Sequence, residues 1–462
     1  MVEATTLWAA RAWLPGGWKD DVLLRAGTDG LWADVSPGVI DCPAGATRVA
    51  GPLLPGVVDA HSHAFQRAFA GLAEWRDAGR DDFWSWRDRM YRVALRITPE
   101  QHTAVAAHLY VELLRGGYTQ VCEFHYLHND RDGRSYADPL ELSWSIADAA
   151  AAAGIGLTLL PVLYERAGFA QPALREDQRR FRISPQNVWA AQRAIAASGR
   201  RLLNAGVAIH SLRAATPSSI DTLRRLAADF EGPIHIHAAE QTGEVDECVA
   251  ATGARPVEWL AREGQLDPRW HLVHATHCLP EEIDAVAKSG AGVVFCPGTE
   301  GNLGDGIPDL PHWLDAGVPI ALGSDSQISR DWREELRWLE YVQRLVRRQR
   351  NVTASPGTGV SSTAERLYSR VLDGARAAGE ERWGIVAGAR ADALVVDPTD
   401  PSLLGIPPGQ LLDALTFSSP TPPWRDVMVA GRWVVRDHRH ANADAIAERF
   451  EGAMKAIWQA DD

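Results

Sequence analysis

The sequence predicts an α/β fold in which a (β/α)8 TIM-like barrel carries a small β-sandwich domain built from both chain ends. Three observations lead to this fold class. The chain has 462 residues, which is several times the size of a small single module. Its central part alternates short apolar or β-branched runs with longer helical patterns, and eight such runs match the strand count of a closed barrel. Short β-like runs recur at both ends, where Gly and Pro interrupt them.

The eight runs are separated by segments with helical spacing, as parallel strands require. We predict the barrel strands at residues 54–60, 118–124, 156–163, 205–210, 233–238, 270–276, 291–296 and 318–325. Helices are expected between them, for example at residues 99–115, 138–153, 218–230 and 280–289, where the segments begin with residues typical of helix starts.

The two ends of the chain are expected to form one β domain together. Runs at residues 6–14 and 22–26 precede the barrel, and runs at 392–397 and 427–435 follow it, with Gly431 marking a tight turn in the last run. The predicted organisation therefore assigns residues 1–52 and 381–440 to the small β domain and residues 53–380 to the barrel. Residues 441–462 are predicted to contain a closing helix at 443–459.

The composition excludes several classes of function. A formal net charge of −13 argues against nucleic-acid or anionic-membrane partners, because phosphate binding needs surplus basic charge. No apolar run reaches membrane-spanning length, and the first residues lack the pattern of a secretory signal, so a cytoplasmic location is expected. The five cysteines contain no CxxC pair, which argues against a disulfide framework and against a thiolate zinc site.

Polar motifs stand at the carboxyl ends of four predicted barrel strands. An HxH pair or a strand-end Asp alone is more often structural, because such an Asp commonly caps the next helix. Four motifs at the face where barrel enzymes assemble their sites instead predict a catalytic centre. Their members are His61 and His63, then His235, His237 and Glu240, then His274, and finally Asp325.

The residue types in these motifs are those of a metal-dependent hydrolase. His61 and His63 are two apart, so in a strand both imidazoles point to the same face. Neutral imidazoles with one carboxylate suit Zn²⁺ or another divalent first-row ion, which lowers the pKa of a bound water to about 7. A neighbouring base and acid are then needed to move protons.

This arrangement resembles the amidohydrolase superfamily in its deaminase-like branch. The resemblance implies that His61, His63, His237 and Asp325 hold the metal, that Glu240, His274 and Asp325 transfer protons, and that His235 is a structural residue. Members with two metals use a lysine on the fourth barrel strand, whereas the three lysines here, Lys19, Lys288 and Lys455, lie outside that strand. One Zn²⁺ or similar ion per chain is therefore expected.

Within that superfamily, the segments 63–74, 83–91, 123–128 and 210–213 are similar to the formimidoylglutamate deiminase family. The similarity implies hydrolysis of N-formimino-L-glutamate to N-formyl-L-glutamate and ammonia, a step of histidine degradation, and we expect a homodimer. Arg213 would pair with the α-carboxylate of this dicarboxylate substrate. The side-chain carboxylate would be bound by four residues: Gln66, Arg87, Tyr126 and His210.

The residue chemistry agrees with an acidic ligand, because the planar guanidinium of Arg213 matches a carboxylate. For Arg87 an alternative without substrate contact stays open. It lies in a Trp-rich segment, where it would stack on an aromatic ring or form a surface ion pair. Phe83, Trp84 and Trp86 are expected to pack the loop or a subunit interface. Two other functions stay open: a deaminase of a heterocyclic base or a related amidohydrolase, and a metal-binding relative without catalysis.

Overall fold

The computed structural model describes residues 4–76 and 82–459. Parts of three predicted segments lie outside these ranges: residues 1–3 of the small β domain, 77–81 of the barrel, and 460–462 at the end of the closing segment. The N-terminal strands are β1 (Thr5–Leu14), β2 (Gly17–Ala26), β3 (Trp32–Ser36), β4 (Thr47–Arg48) and β5 (Leu53–Leu54).

The first two strands form an antiparallel hairpin in which Leu14 pairs with Gly17. Pro15 and Gly16 occupy the two central turn positions, and Gly16 has a φ of +86°. A Pro followed by a residue with positive φ is typical of a type II turn, where glycine carries no steric penalty. The turn thus fixes the register that buries Leu7, Trp8 and Leu14 on the sheet.

The barrel contains eight parallel strand positions, and its strands are almost completely buried, as expected for a barrel enclosed by helices. Its strands are β6 (Val57–Ser62), β7 (Tyr118–His125), β8 (Gly156–Leu163), β9 (Leu203–Ala205), β10 (Val207–Ile209), β11 (Ile234–Ala238), β12 (Trp270–His274), β13 (Gly292–Phe295) and β14 (Ile320–Leu322). The sheet closes because β14 pairs with β6 and β8 pairs with both β9 and β10. The predicted fold class is confirmed.

The fourth barrel position is divided into β9 and β10 at Gly206. A Cβ atom at Gly206 would lie 2.6 Å from the Leu160 side chain and 2.6 Å from the Pro233 carbonyl oxygen. The chain therefore approaches both neighbouring strands closely at this point, where only glycine fits without displacement. The sequence predicted a single strand over residues 205–210.

Helices connect the barrel strands and surround them. Thr98 and Gln101 form a capping box at the start of the second helix, which places its first residue at Pro99 as predicted. The helices are α1 (Phe83–Arg96), α2 (Pro99–Arg115), α3 (Glu141–Ala153), α4 (Pro185–Ala196), α5 (Pro217–Leu226), α6 (Thr242–Thr252), α7 (Pro256–Arg262), α8 (Pro280–Ser289), α9 (Pro297–Leu303), α10 (Leu310–Asp315), α11 (Trp332–Arg347), α12 (Thr363–Asp373), α13 (Leu411–Phe417) and α14 (Ala443–Trp458). Short 3-10 helices occur at Ala64–Ala68, Glu176–Phe181, Pro356–Thr358, Gly374–Ala378 and Pro408–Gln410.

The C-terminal strands complete the sheet begun by the N-terminus. They are β15 (Ala393–Val396), β16 (Trp424–Val429), β17 (Arg432–Arg436) and β18 (Arg439–His440). Strand β5 pairs with both β1 and β15, so the two chain ends share one nine-stranded mixed sheet. Helix α14 then returns to the barrel, where the Trp458 indole donates to the Ala68 carbonyl at 3.0 Å. Within the described ranges, every helix is too short or too polar to cross a bilayer.

Candidate active site

Three imidazoles meet at the carboxyl end of the barrel. His61 lies near the end of β6, His63 directly follows that strand, and His237 belongs to β11. The Nε2 atom of His61 lies 3.1 Å from Nε2 of His63 and 3.0 Å from Nε2 of His237. All three side chains are buried. Burial lowers the pKa of His61 to about 4 and that of His63 to about 3, and it lowers the pKa of His237 as well. Neutral rings are the form that binds metals.

The protonation pattern shows that these rings fit a cation. His63 Nδ1 lies 3.0 Å from the Phe124 carbonyl oxygen, so Nδ1 carries the proton and Nε2 presents a lone pair to the cluster. A proton on His61 Nε2 could be shared with only one of its two neighbours. At least one pair of facing nitrogens would therefore remain unmatched, whereas a divalent ion accepts all three lone pairs.

Asp325 adds a carboxylate to the three imidazoles. Its Oδ1 atom lies 3.5 Å from His61 Nε2 and 3.4 Å from His63 Nε2. The backbone fixes this position, because Asp325 N–H donates to the His61 carbonyl at 2.9 Å and His63 N–H donates to the Asp325 carbonyl at 3.2 Å. Burial alone would raise the pKa of Asp325, but the hydrogen bond with the His61 ring and the positive charge of the protonated His274 lower it, so the carboxylate stays ionised.

Two buried carboxyl groups hold the metal motifs from behind. Glu123 of β7 accepts hydrogen bonds from the Ala64 N–H at 2.6 Å and from the Ser62 hydroxyl at 2.9 Å, on either side of His63. Asp59 of β6 accepts from the Ser324 N–H at 2.9 Å and from its hydroxyl at 2.6 Å, next to Asp325. These hydrogen bonds hold the backbone beside His63 and Asp325, and they thereby help to orient the side chains of the cluster.

His274, Glu240 and Glu300 form a group of buried titratable side chains beside the cluster. His274 ends β12, and its Nε2 lies 3.7 Å from Glu240 Oε1 and 3.8 Å from Asp325 Oδ2. Its Nδ1 lies 3.4 Å from Oε1 of Glu300 in α9. Burial opposes protonation of His274, but the negative charge of Glu240 and the other carboxylates outweighs it and raises the pKa to about 10. Burial raises the pKa of Glu240 to about 7.

These values assign a strong proton affinity to both groups. His274 therefore holds a proton at neutral pH in this arrangement, whereas a carboxyl group with a pKa near 7 can both accept and release one. Because His274 Nε2 and Glu240 Oε1 are 3.7 Å apart, a small movement brings them within hydrogen-bonding distance, where a proton can pass between them. The arrangement can thus transfer protons next to the cation-binding cluster.

A pocket opens from the cluster toward a set of polar and aromatic side chains. Tyr126 directly follows β7, and its hydroxyl accepts from the Gln66 side chain at 3.1 Å. The His210 ring directly follows β10 and packs 5.7 Å from the Tyr126 ring. The polar and charged residues that line the pocket are His63, Gln66, Arg87, Tyr91, Tyr126, Tyr164, His210, Arg213, His237, Glu240, His274 and Asp325.

Two buried or half-buried arginines provide positive charge in this pocket. Arg87 and Arg213 contact the same indole, with their guanidinium carbons 4.5 Å and 5.3 Å from the centre of the Trp84 ring. Within residues 4–76 and 82–459, neither guanidinium forms an ion pair with a carboxylate, and the buried Arg87 Nε has no hydrogen-bond partner. Charged groups of this kind are costly to leave unpaired, so the pocket favours an anionic ligand.

The structure brings every residue proposed for the site into this region, while their roles stay predictions. His61, which lies just behind the pocket lining, contacts the others through His63 and His237. His235 points elsewhere, because its Nε2 lies 2.7 Å from the Ala377 carbonyl. Arg87 both stacks on Trp84 and lines the pocket, so the two roles considered for it are compatible.

Several pocket residues were not found by sequence reasoning. Phe83 and Trp86 were expected to pack a loop or an interface, but both line the pocket, because α1 forms part of its wall. Tyr164 had no motif of its own, and Tyr91 was given no role within the segment 83–91. Glu300, which contacts His274 but does not line the pocket, was not singled out either. Tyr164 directly follows β8, as Tyr126 follows β7, so its place at a barrel strand end was an available signal.

Comparisons with known proteins agree with this geometry. The sequence model of the amidohydrolase family matches residues 53–434 of this chain. The formimidoylglutamate deiminase of Pseudomonas aeruginosa PAO1 is 48% identical over 453 residues, which cover 96% of this chain and 98% of that protein. The 5-methylthioadenosine/S-adenosylhomocysteine deaminase of Natronomonas pharaonis is 29% identical over 409 residues, covering 87% of this chain and 86% of that protein.

Among solved structures, an amidohydrolase from Brucella melitensis superposes with a TM-score of 0.92 at 40% sequence identity. The match covers 98% of this chain and 99% of that one. The structural similarity therefore includes both the barrel and the sheet formed by the two chain ends.

Proposed function

The chain belongs to the amidohydrolase family, and on that premise we propose that it hydrolyses N-formimino-L-glutamate to N-formyl-L-glutamate and ammonia in histidine degradation. One observation carries the choice of substrate. Arg87 and Arg213 face the cation-binding cluster without a carboxylate partner among the described residues. A formimino group at one end and two carboxylates at the other match this arrangement. The relative that is 48% identical is a formimidoylglutamate deiminase, which supports the same assignment.

The proposal includes one Zn²⁺ or similar divalent ion per chain, held by His61, His63, His237 and Asp325. The lone-pair geometry of the three imidazoles and the ionised carboxylate support it. When bound, such an ion supplies an acidified water and a Lewis acid for the carbon that is attacked. The residues of this chain position the substrate and move the protons.

Substrate binding is assigned to the polar wall opposite the cluster. Arg213 pairs with the α-carboxylate through its planar guanidinium. The side-chain carboxylate is bound by Gln66, Arg87, Tyr126 and His210. These contacts place the formimino carbon over the imidazole cluster, and binding energy from the carboxylates is used to orient the reacting group.

Proton transfer is assigned to His274, Glu240 and Asp325. His274 acts as the base in its neutral form, which it reaches by passing the proton it holds at neutral pH to Glu240, and it then accepts a proton from the attacking water. Glu240 and Asp325 lie 3.7 Å and 3.8 Å from His274 Nε2. The amidine nitrogen receives a proton and leaves as ammonia, while the carbon keeps the water oxygen as a formyl group. The carboxylates also match the positive charge of an amidinium substrate.

The proposal is tested by measuring ammonia release from N-formimino-L-glutamate and, in parallel, from adenosine and 5-methylthioadenosine. Efficient release from the formimino compound, with little from the purines, is expected. Preference for a purine would favour the heterocycle deaminase instead, and inactivity toward all compounds with a full complement of metal would favour a non-catalytic relative.

A homodimer and a cytoplasmic location complete the proposal as predictions from the sequence. Helix α11 exposes several apolar side chains, including Trp338, Leu345 and Val346, and a subunit contact would cover such a face. Light scattering during gel filtration measures the mass in solution. A mass of two chains is expected, and a mass of one chain would remove the dimer from the proposal.

A further inference from the structure

A buried glutamine joins two tyrosines in the pocket wall. Gln178 lies in the 3-10 helix Glu176–Phe181, Tyr91 lies in α1, and Tyr164 follows β8. The Gln178 amide nitrogen donates to the Tyr91 hydroxyl oxygen at 3.1 Å and to the Tyr164 hydroxyl oxygen at 2.9 Å. Gln178 is fully buried and each tyrosine is only 3% exposed. Three separate segments of the chain are thus held together at one point.

The orientation of the Gln178 amide is fixed by its other end. Its Oε1 atom accepts from the Arg175 backbone N–H at 3.1 Å, so the NH₂ group must face the tyrosines. Both amide hydrogens are then used, one for each phenol oxygen. Each tyrosine acts as an acceptor toward Gln178 and keeps its own hydroxyl hydrogen for another partner.

Counting these hydrogens leaves at least one donor for the pocket. The two hydroxyls lie close enough to interact with each other, so one of the two hydrogens can be used between them. In the part of the chain that the structure describes, no third group accepts a hydrogen bond from either hydroxyl. One buried O–H therefore remains without an acceptor, and a buried donor of this kind calls for a partner.

The free donor lies in the arginine-lined part of the pocket. Both tyrosines line the pocket together with Arg87 and Arg213. The Tyr164 ring packs 4.4 Å from the His210 ring, and His210 precedes Arg213 by three residues. The Tyr164 hydroxyl and the Arg213 guanidinium are also near enough to shift each other's pKa. An anion paired with Arg213 would therefore lie within reach of the tyrosine pair.

We propose that Tyr164, held with Tyr91 by Gln178, donates a hydrogen bond to the same substrate carboxylate that Arg213 pairs with. The inference rests on the proposed function, since it adds a specificity-determining donor to the α-carboxylate subsite of that pocket. Hydrogen bonds to ionised acceptors are about twice as strong as neutral ones, and the buried setting strengthens them further. Gln178 does not touch substrate in this arrangement and is a positioning residue.

The test compares two substrates that differ only in the α-carboxylate: N-formimino-L-glutamate and N-formimino-4-aminobutanoate. The variants are Tyr164→Phe, Tyr91→Phe, the double variant and Gln178→Leu. Phenylalanine keeps the rings that pack on Phe181, at 5.5 Å from Tyr91 and 5.3 Å from Tyr164. Tyr341→Phe, at the surface of α11, is the matched control for loss of a phenol hydroxyl.

The double variant should lose about 10- to 100-fold in kcat/KM for N-formimino-L-glutamate and less than about threefold for the analogue. Gln178→Leu should show the same selective loss, and combining it with Tyr164→Phe should add little, because both changes remove one donor. Equal losses on both substrates would indicate a purely structural role and would overturn the proposal. An unchanged double variant would overturn it as well.

Failure of this inference can be told apart from failure of the proposed function. Absence of wild-type turnover of N-formimino-L-glutamate would contradict the function itself. Calorimetric binding of the product N-formyl-L-glutamate does not need turnover, and it should weaken in the double variant by the same about 10- to 100-fold. Unchanged product binding would reject the tyrosine donor even in an active deiminase.

Discussion

Two histidines of the same strand show how the two ends of the barrel differ. His235 and His237 are two residues apart in β11, and both are buried. The Nε2 atom of His235 lies 2.7 Å from the Ala377 carbonyl, and its ring packs 5.1 Å from His271. The Nε2 atom of His237 instead lies 3.0 Å from another imidazole nitrogen, at the end where His61 and Asp325 converge.

The hydrogen-bond partner, rather than burial, therefore distinguishes a structural histidine from a candidate metal ligand. A carbonyl accepts the proton of His235 and completes its hydrogen bonding at that atom, whereas His237 belongs to a cluster of three imidazoles whose facing lone pairs a cation satisfies together. The backbone differs as well. His274 and Asp325, at the carboxyl ends, have φ of +69° and +48°. Left-handed backbone at such residues costs on the order of 1 to 3 kcal/mol each and commonly accompanies function.

The largest effect is expected from removing a histidine at the carboxyl end. His237→Ala should lower the metal content from about one ion per chain to near zero and reduce turnover by more than about 10⁴-fold, because an incomplete ligand set cannot hold the ion. Elemental analysis of the purified protein and the ammonia assay measure both. Two tightly held ions in the wild type would contradict the mononuclear site.

His235→Gln is the matched control from the same strand. It should keep the metal and stay within about threefold of wild-type turnover. Its free energy of unfolding should fall by about 1 to 3 kcal/mol, because the hydrogen bond to Ala377 is perturbed. Loss of metal in this variant would mean that His235 is needed for metal binding as well, and it would contradict the difference proposed between His235 and His237.

An intermediate effect on turnover is expected from substituting His274 or Glu240, the residues proposed to transfer protons. His274→Asn and Glu240→Gln should each retain the metal but lose about two to four powers of ten in turnover, since the proposed ligands are intact and only proton transfer is impaired. Metal content and kcat measured on the same preparations separate binding from chemistry. Near-normal turnover in either variant would remove that residue from the mechanism.

A smaller effect on activity, with a clear effect on stability, is expected at Gly323, where neighbouring strand ends approach each other closely. A Cβ atom at Gly323 would lie 2.7 Å from the His61 Cβ and 2.9 Å from the Cys296 Sγ. Gly323→Ala should therefore lower the free energy of unfolding by about 1 to 3 kcal/mol and weaken metal retention. Gly301→Ala, on α9, is the control and should not destabilise, because a Cβ atom there would lie at an ordinary contact distance of 3.8 Å from the Trp338 ring. Equal stability of the two variants would contradict the close approach.

The regular parts of this fold could be predicted because local signals and tertiary structure agree. Residues 156–163 form β8 as expected, and α2 and α8 have the predicted bounds, since Pro at the first helical turn and capping side chains mark their starts. The division of the fourth strand at Gly206 could not be predicted, because it depends on contacts with Leu160 and Pro233 from other strands.

The same reasoning explains which site residues were found. The imidazoles and Asp325 follow recognisable strand ends, and the chemistry of a metal site restricts them to a few residue types. Tyr91, Gln178 and Glu300 lie on helices far apart in sequence, and only folding brings Tyr91 to the pocket and the other two against residues that line it. Phe83 and Trp86 resemble ordinary packing residues of an amphipathic helix, so their place on the pocket wall needed the structure.

The central claim is that Arg213 selects a dicarboxylate for the imidazole cluster. Replacing it by Met would leave a carboxylate unpaired in a buried pocket, at an expected cost of about 2 to 5 kcal/mol. The matched control is Arg225→Met, because Arg225 is exposed on α5 and pairs with Asp221 outside the pocket.

The decisive measurement is kcat/KM of wild type, Arg213→Met and Arg225→Met for N-formimino-L-glutamate and for a small uncharged formamidine. We expect Arg213→Met to lose about 30- to several-thousand-fold in kcat/KM on the dicarboxylate and little on the uncharged compound, with Arg225→Met unchanged on both. Equal losses of Arg213→Met on the two compounds would contradict this expectation.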